Sequence, residues 1–219
     1  MEQTANTYPY QETRRKENLG QTREIVVFVG PEGSGKTSQA KLLAQQIDLP
    51  FLTYGDIFRE AAENDRTFLG DECRRIFEEH DYIKLFVLTE LISIELRKKE
   101  YQNGAVIDGA LRIPGEVESF EELLKLAGIE KSNITVFYLR IPGWKGFERT
   151  LNGRKRPDDT VEGMTGRLSA FYSGLGQRSS ELRKMSEGGR LRFIQINANR
   201  TIEEISGEIL EKFKQEDLE

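Results

Sequence analysis

Eight residues, Gly30-Pro31-Glu32-Gly33-Ser34-Gly35-Lys36-Thr37, constrain this chain more than any other stretch. They satisfy the pattern G-x-x-x-x-G-K-[ST] at every fixed position. At average composition the bare pattern arises by chance in roughly one chain of this length in a hundred. Its surroundings make it rarer still. Glu24-Ile25-Val26-Val27-Phe28-Val29 before it reads as a buried strand, and Ser38-Gln39-Ala40-Lys41-Leu42-Leu43-Ala44 after it reads as an amphipathic helix. Strand, glycine-rich turn and helix together make a phosphate-binding loop. The glycines let the backbone curl until its N–H groups face a polyphosphate, and the helix N-terminus adds partial positive charge. Lys36 supplies a full charge and Thr37 a hydroxyl for Mg2+. Gly30, Gly33, Ser34, Gly35, Lys36, Thr37 and Ser38 are thus the candidate donor-phosphate residues.

Composition excludes several functions. The chain has 219 residues, which suits one domain with a small insertion, and its net charge of −5 carries no general nucleic-acid signal. One cysteine, Cys73, rules out an intramolecular disulfide and a cysteine-based zinc site. His80, the single histidine, lies in the polar run Glu78-Glu79-His80-Asp81, where a solvated helix end is the expectation. No apolar run reaches membrane-spanning length and nothing reads as a signal peptide, so the expectation is a cytoplasmic protein with neither membrane nor nucleic-acid partners.

Residues 1–22 are polar and aperiodic, and read as a disordered tail ahead of a core at 23–219. From there strands and helices alternate. Strands are expected at Ile25–Val29, Phe51–Thr53, Ala105–Asp108, Ile134–Leu139 and Leu191–Ile196. Helices are expected at about 36–47, 55–64, 68–79, 82–99, 115–126, 143–152, 159–186 and 201–214. Apolar strands alternating with helices imply an α/β fold, a parallel sheet covered on both faces. Ligands of such sheets bind beyond the carboxyl ends of the strands, where the phosphate loop, Asp56 and Asp108 all fall.

Three further segments matter with the loop: Thr53-Tyr54-Gly55-Asp56-Ile57-Phe58-Arg59, Val106-Ile107-Asp108-Gly109-Ala110-Leu111-Arg112, and Arg154-Lys155-Arg156-Pro157-Asp158-Asp159 followed by Glu162 and Arg167-Leu168. Their order and spacing resemble the nucleoside monophosphate kinases, and adenylate kinases most, over residues 24 to about 215. The resemblance implies a phosphate-loop three-layer fold with a five-stranded parallel sheet in the order 2-3-1-4-5. It also implies an acceptor-binding helical insertion at about 54–84 and a very short lid at about 153–157.

The roles that follow are those the resemblance implies. Lys36, Arg112, Arg154, Arg156 and Arg167 are the catalytic cations, and Asn197 adjoins the donor adenine. The acceptor nucleotide meets Tyr54, Arg59, Ile83, Gly109, Arg112 and Glu116. Thr37 and, through water, Asp108 serve Mg2+, with Asp158 and Asp159 behind them; there is no zinc. The arginines suit the chemistry, because phosphoryl transfer is mostly positioning and electrostatics and guanidinium groups bind phosphate oxygens bidentately.

The expected reaction is reversible transfer of the ATP γ-phosphoryl group to a nucleoside monophosphate by a monomeric enzyme. AMP is the expected acceptor, and GMP, UMP or CMP the alternatives. A nucleotide-binding module without turnover is a further alternative, disfavoured by the intact cations. Ala110 and Leu111 stand where the family has Phe and Pro, Tyr54 where it has Thr, Glu116 where it has Gln, and Tyr82-Ile83-Lys84 where it has L-V-P. Glu116 either reads the acceptor base or, as the bland reading of a glutamate at a helix start has it, points to solvent. If Glu116 faces the base, a Tyr54 hydroxyl offered to adenine N1 would restore the match to AMP.

Overall fold

Successive residues of the first strand, β1 (Arg23–Val29), face opposite sides of a sheet, and both sides are apolar. Ile25, Val27 and Val29 join one core; Val26 and Phe28 join another. Residues 25–28 are 0% exposed, so the strand lies at the centre of two layers rather than against solvent. The computed structural model describes residues 23–79, 83–153 and 160–215. The expected tail at 1–22, His80, Tyr82 and the lid residues Arg154, Arg156, Asp158 and Asp159 lie outside them.

After β1 come α1 (Lys36–Ile47), β2 (Phe51–Thr53), α2 (Tyr54–Asn64), α3 (Phe68–Glu79) and α4 (Leu85–Leu96). A short 3-10 turn over Lys99–Tyr101 leads to β3 (Gly104–Asp108), α5 (Glu116–Leu126), β4 (Ser132–Arg140) and α6 (Gly143–Gly153). The chain closes with α7 (Val161–Ser173), α8 (Leu175–Glu187), β5 (Arg192–Asn197) and α9 (Ile202–Lys214). The five strands form one parallel sheet in the order β2-β3-β1-β4-β5, as the resemblance implied.

The larger core packs α4, α5 and α8 on one face through Leu88, Ile92, Phe120, Leu124 and Leu182. The other face takes α1 and α9 through Leu43, Ile205 and Ile209 against Phe28, Phe137 and Leu139. Each fully buried side chain of this size contributes about 1.5–3 kcal/mol, so the sheet is anchored from both sides. Between β2 and α4 lies a helical pair, α2 and α3. Its second helix is pinned by the buried carboxylate of Glu72, which accepts from Lys84 at 2.9 Å and from Arg75 at 3.3 Å.

Two expected helices differ in extent. The run at 82–99 shortens to α4 and the 3-10 turn. The run at 159–186 is two helices, because Gly174 ends α7 and starts α8. Glycine is a poor helix former, and the break at this one is used by the site described below. Helix α9 opens with a capping box: the Thr201 hydroxyl accepts the Glu204 N–H, and the Glu204 carboxylate accepts the Thr201 N–H at 2.9 Å.

Candidate active site

A parallel sheet brings every strand's carboxyl end to one edge, and that edge collects the chemistry. The register aligns Asp108 with both Phe28 and Thr53, and Arg140 with Asn197. The phosphate loop leaves β1 at the middle of this edge. Its Gly33 and Gly35 have φ of 74° and 82°, a left-handed conformation that side chains resist. Gly35 also precedes α1, whose N-terminus has no side-chain cap and no acidic residue in its first turn. The first N–H groups of a 12-residue helix are therefore kept for an external anion. Lys36 is buried, with Nζ 3.4 Å from the Pro31 carbonyl, so the loop's own backbone holds its ammonium.

The loop is also pressed against α6. A Cβ on Gly33 would lie 2.0 Å from the Gly146 carbonyl oxygen, and one on Gly146 would lie 2.5 Å from the Glu32 carbonyl oxygen. Two glycines facing each other let α6 rest on the backbone that would hold the phosphates. Gly33 was legible as part of the motif; Gly146 was not, since a lone glycine inside a helical run carries no such signal.

Thr37 donates its hydroxyl to Asp108 Oδ2 at 2.5 Å. Asp108 is 5% exposed, and its other oxygen, Oδ1, is buried without a hydrogen-bond partner among the described residues. A buried acceptor left unmatched costs about 1–3 kcal/mol unless something binds it. A carboxylate oxygen and a hydroxyl are hard ligands, and they fit a hydrated divalent cation shared with phosphates. Thr37 and Asp108 would hold Mg2+ in this way.

On the acceptor side, Arg59 is ion-paired with Asp56 one helical turn earlier, and both are exposed. Ile83 is buried. Gly109 has φ 94° and backs onto Tyr54, whose Cβ is 3.5 Å from where a Gly109 Cβ would be. Arg112 is half-buried, and its guanidinium makes no hydrogen bond or ion pair among the described residues. Arg167 lies half-buried on α7. At the far end of the edge, Asn197 caps its own turn by accepting the Asn199 N–H at 3.0 Å.

Two expectations are corrected here. Glu116 neither reads a base nor points to solvent. It is 1% exposed and accepts three successive backbone N–H groups: Leu111 at 2.6 Å, Arg112 at 2.7 Å and Ile113 at 3.1 Å. Burial pushes its carboxyl above the usual range, while those N–H groups and Arg112 pull the other way. Leu111 explains the change. It adopts φ 57° and donates its N–H, and a proline can do neither. The loop therefore takes a path that the family's Pro would forbid, and the carboxylate holds it there.

Tyr54 is the second correction. It is 2% exposed, and its hydroxyl is buried with no hydrogen-bond partner among the described residues, so it presents nothing to an acceptor base. Burial, then the nearby Glu116 charge, pushes its hydroxyl pKa well above the ordinary value. Arg149 and Arg178 were missed from the sequence because a single arginine on a helix usually reads as solvated. Arg149 donates to the carbonyls of Ala198 at 2.9 Å and Arg200 at 3.3 Å, holding the segment after Asn197.

Comparison with known proteins decides the family. A family model described as an AAA domain matches residues 29–165. An adenylate kinase of Mycobacterium leprae is 30% identical over 170 residues, covering 76% of this chain and 92% of the relative. The chain belongs to the adenylate kinase family. Another member, from Trichodesmium erythraeum, is 29% identical over 187 residues, covering 84% of this chain and 94% of its own. An adenylate kinase of Clostridium botulinum is 32% identical over 130 residues, 59% of this chain and 58% of its own. The enzyme is thus a kinase, a phosphotransferase acting on nucleoside monophosphates, built on a phosphate-loop fold.

Two outcomes follow from this geometry. Glu116→Gln should lower Tm and weaken every monophosphate alike, because an amide replaces one acceptor with a donor facing an N–H. The loss is about 1–3 kcal/mol. Ratios of kcat/KM for AMP and GMP should stay within about twofold of wild type; a shift beyond fivefold would show that position 116 reaches the base. Gly146→Ala should lower Tm by about 2–6 °C and raise the KM for ATP, because the new methyl meets the Glu32 carbonyl. Helix propensity alone favours alanine by about 1 kcal/mol, so a gain in stability would mean that the loop yields freely.

Proposed function

We propose that this enzyme transfers the γ-phosphoryl group of Mg·ATP to AMP, reversibly, yielding two ADP. The observation that carries the donor half is the uncapped N-terminus of α1 beside the Thr37–Asp108 pair with its unmatched oxygen. The acceptor half is supported by the adenylate kinases that the chain resembles over most of its length.

In this reading a phosphate oxygen of AMP attacks the γ-phosphorus in line. The bond from that phosphorus to the bridging oxygen breaks, and ADP leaves with the electron pair. The loop N–H groups and Lys36 cradle the β- and γ-phosphates. Arg59 exchanges Asp56 for the AMP phosphate, and Arg112 grips the same phosphate from the end of β3. Arg167, with Arg154 and Arg156 of the lid, neutralises charge spread over the equatorial oxygens. Mg2+ entering with ATP would be held by Thr37 and, through water, Asp108, with Asp158 and Asp159 behind them, and would supply neutralisation of phosphate charge. No general base is needed, because the acceptor phosphate is already ionised at neutral pH. Asn197 and the segment held by Arg149 border the donor base. The proposed unit is a monomer in the cytoplasm.

A second reading is favoured by one observation. Glu116 and Tyr54, the two positions expected to discriminate the acceptor base, are both turned into the protein. The same transfer to GMP, CMP or UMP would then meet no built-in rejection at those positions.

A coupled assay with ATP and each monophosphate separates the readings. AMP should give the highest kcat/KM, and EDTA should abolish turnover until Mg2+ is restored. A wild type that prefers another monophosphate would replace AMP as the acceptor. Lys36→Met should keep the fold by thermal melt and lower single-turnover transfer by at least about 100-fold, because the lost charge acts where the transition state develops its own. Near-normal transfer would remove the loop from the mechanism.

A further inference from the structure

Arg178 lies on α8, 7% exposed, and takes no part in the reaction as described above. Its Nη2 donates to the backbone carbonyl of Arg112 at 2.7 Å, across 66 positions of sequence. Its guanidinium carbon stands 5.0 Å from the centre of the Phe171 ring, and Phe171 belongs to α7. The break at Gly174 makes room for it: a Cβ there would lie 3.3 Å from Arg178 Nη2. Tyr138 and Glu181 also feel its charge. A buried guanidinium is costly unless partners meet it, and the Arg112 carbonyl meets Nη2 while Nη1 is buried with no hydrogen bond among the described residues.

That carbonyl belongs to a peptide segment already gripped from its other side. Glu116 accepts the Arg112 N–H, and Leu111 before it is held at φ 57° by the same carboxylate. The main chain of Arg112 is thus fixed at both its N–H and its C=O, and the launch direction of its side chain is fixed with it. Through Phe171, the same guanidinium touches the helix that carries Arg167.

We propose that Arg178 is a positioning residue for the acceptor phosphate: it locks the main chain of Arg112 to α7, so that Arg112 and Arg167 approach the transferring group as one unit. The proposal rests on the reading that Arg112 grips the acceptor phosphate. Arg178 itself touches no substrate. Lysine in its place reaches the carbonyl but stacks poorly on Phe171; methionine keeps the bulk and loses the donor.

The test is steady-state kinetics with AMP, and with GMP in parallel, on Arg178→Met, Arg178→Lys, Arg112→Met and the Arg112→Met/Arg178→Met double variant, each with a thermal melt. Arg178→Met should raise the acceptor KM about tenfold, the worth of one charge-assisted hydrogen bond, with the KM for ATP changed less than about twofold. Arg178→Lys should recover part of that loss and, being the milder change, covers a methionine variant that fails to fold. In the Arg112→Met background the second substitution should add less than about twofold, because the group being positioned is gone. A full-sized effect in that background, or an equal rise in both KM values, would overturn the proposal and make Arg178 a structural residue. A lowered Tm with both KM values unchanged would do the same. An Arg112→Met enzyme with a normal acceptor KM would instead overturn the reading of Arg112 on which the proposal rests.

Discussion

The hydrogen bond from Thr37 to Asp108 joins the two parts of the molecule on which everything else depends. Thr37 stands in the first turn of α1, where the phosphate loop becomes a helix. Asp108 ends β3, the strand beside β1. The bond sets the uncapped helix terminus against the carboxyl edge of the sheet and leaves one carboxylate oxygen buried and unmatched. A helix terminus without a cap and a carboxylate without a full set of partners both cost stability, and each is a binding site in waiting.

The acceptor side is built on a different principle. There the charged groups face inward to shape backbone. Glu116 serves as an internal anion for three consecutive N–H groups, and Arg178 as an internal cation for a carbonyl of the same loop. A carboxylate thus holds the N–H groups and a guanidinium a carbonyl of one peptide segment, with no hydrogen bond between the two. Where the family pattern has a proline, this loop has a leucine in the left-handed region and is held by ionic side chains. Position 116 therefore bears on stability and not on the choice of base. A carboxylate that holds the loop cannot also read a base.

Close backbone contact completes the arrangement. Gly33 and Gly146 let α6 lie against the phosphate loop with no side chain between them. Helix α6 therefore rests on the loop, and a shift of one displaces the other.

Local sequence patterns fixed the sheet, its strand positions and the phosphate loop. These depend on local rules: alternation of apolar residues, glycines at fixed offsets and a lysine at a helix start all act within a few residues. The resemblance extended this to strand order and family. What only the tertiary structure decided is where polar side chains spend their charge. Position 116 was legible as a glutamate beginning a helix, yet its three partners depend on Leu111 entering the left-handed region, which no local propensity foretells. Tyr54 looked available to a base until packing buried it against Phe58 and Gly109. Arg178 and Gly146 carried no motif at all, because their partners lie far along the chain and are brought close only when α8 and α6 pack. Long-range packing, which periodicity and spacing do not encode, turned ordinary surface-type residues into parts of the site.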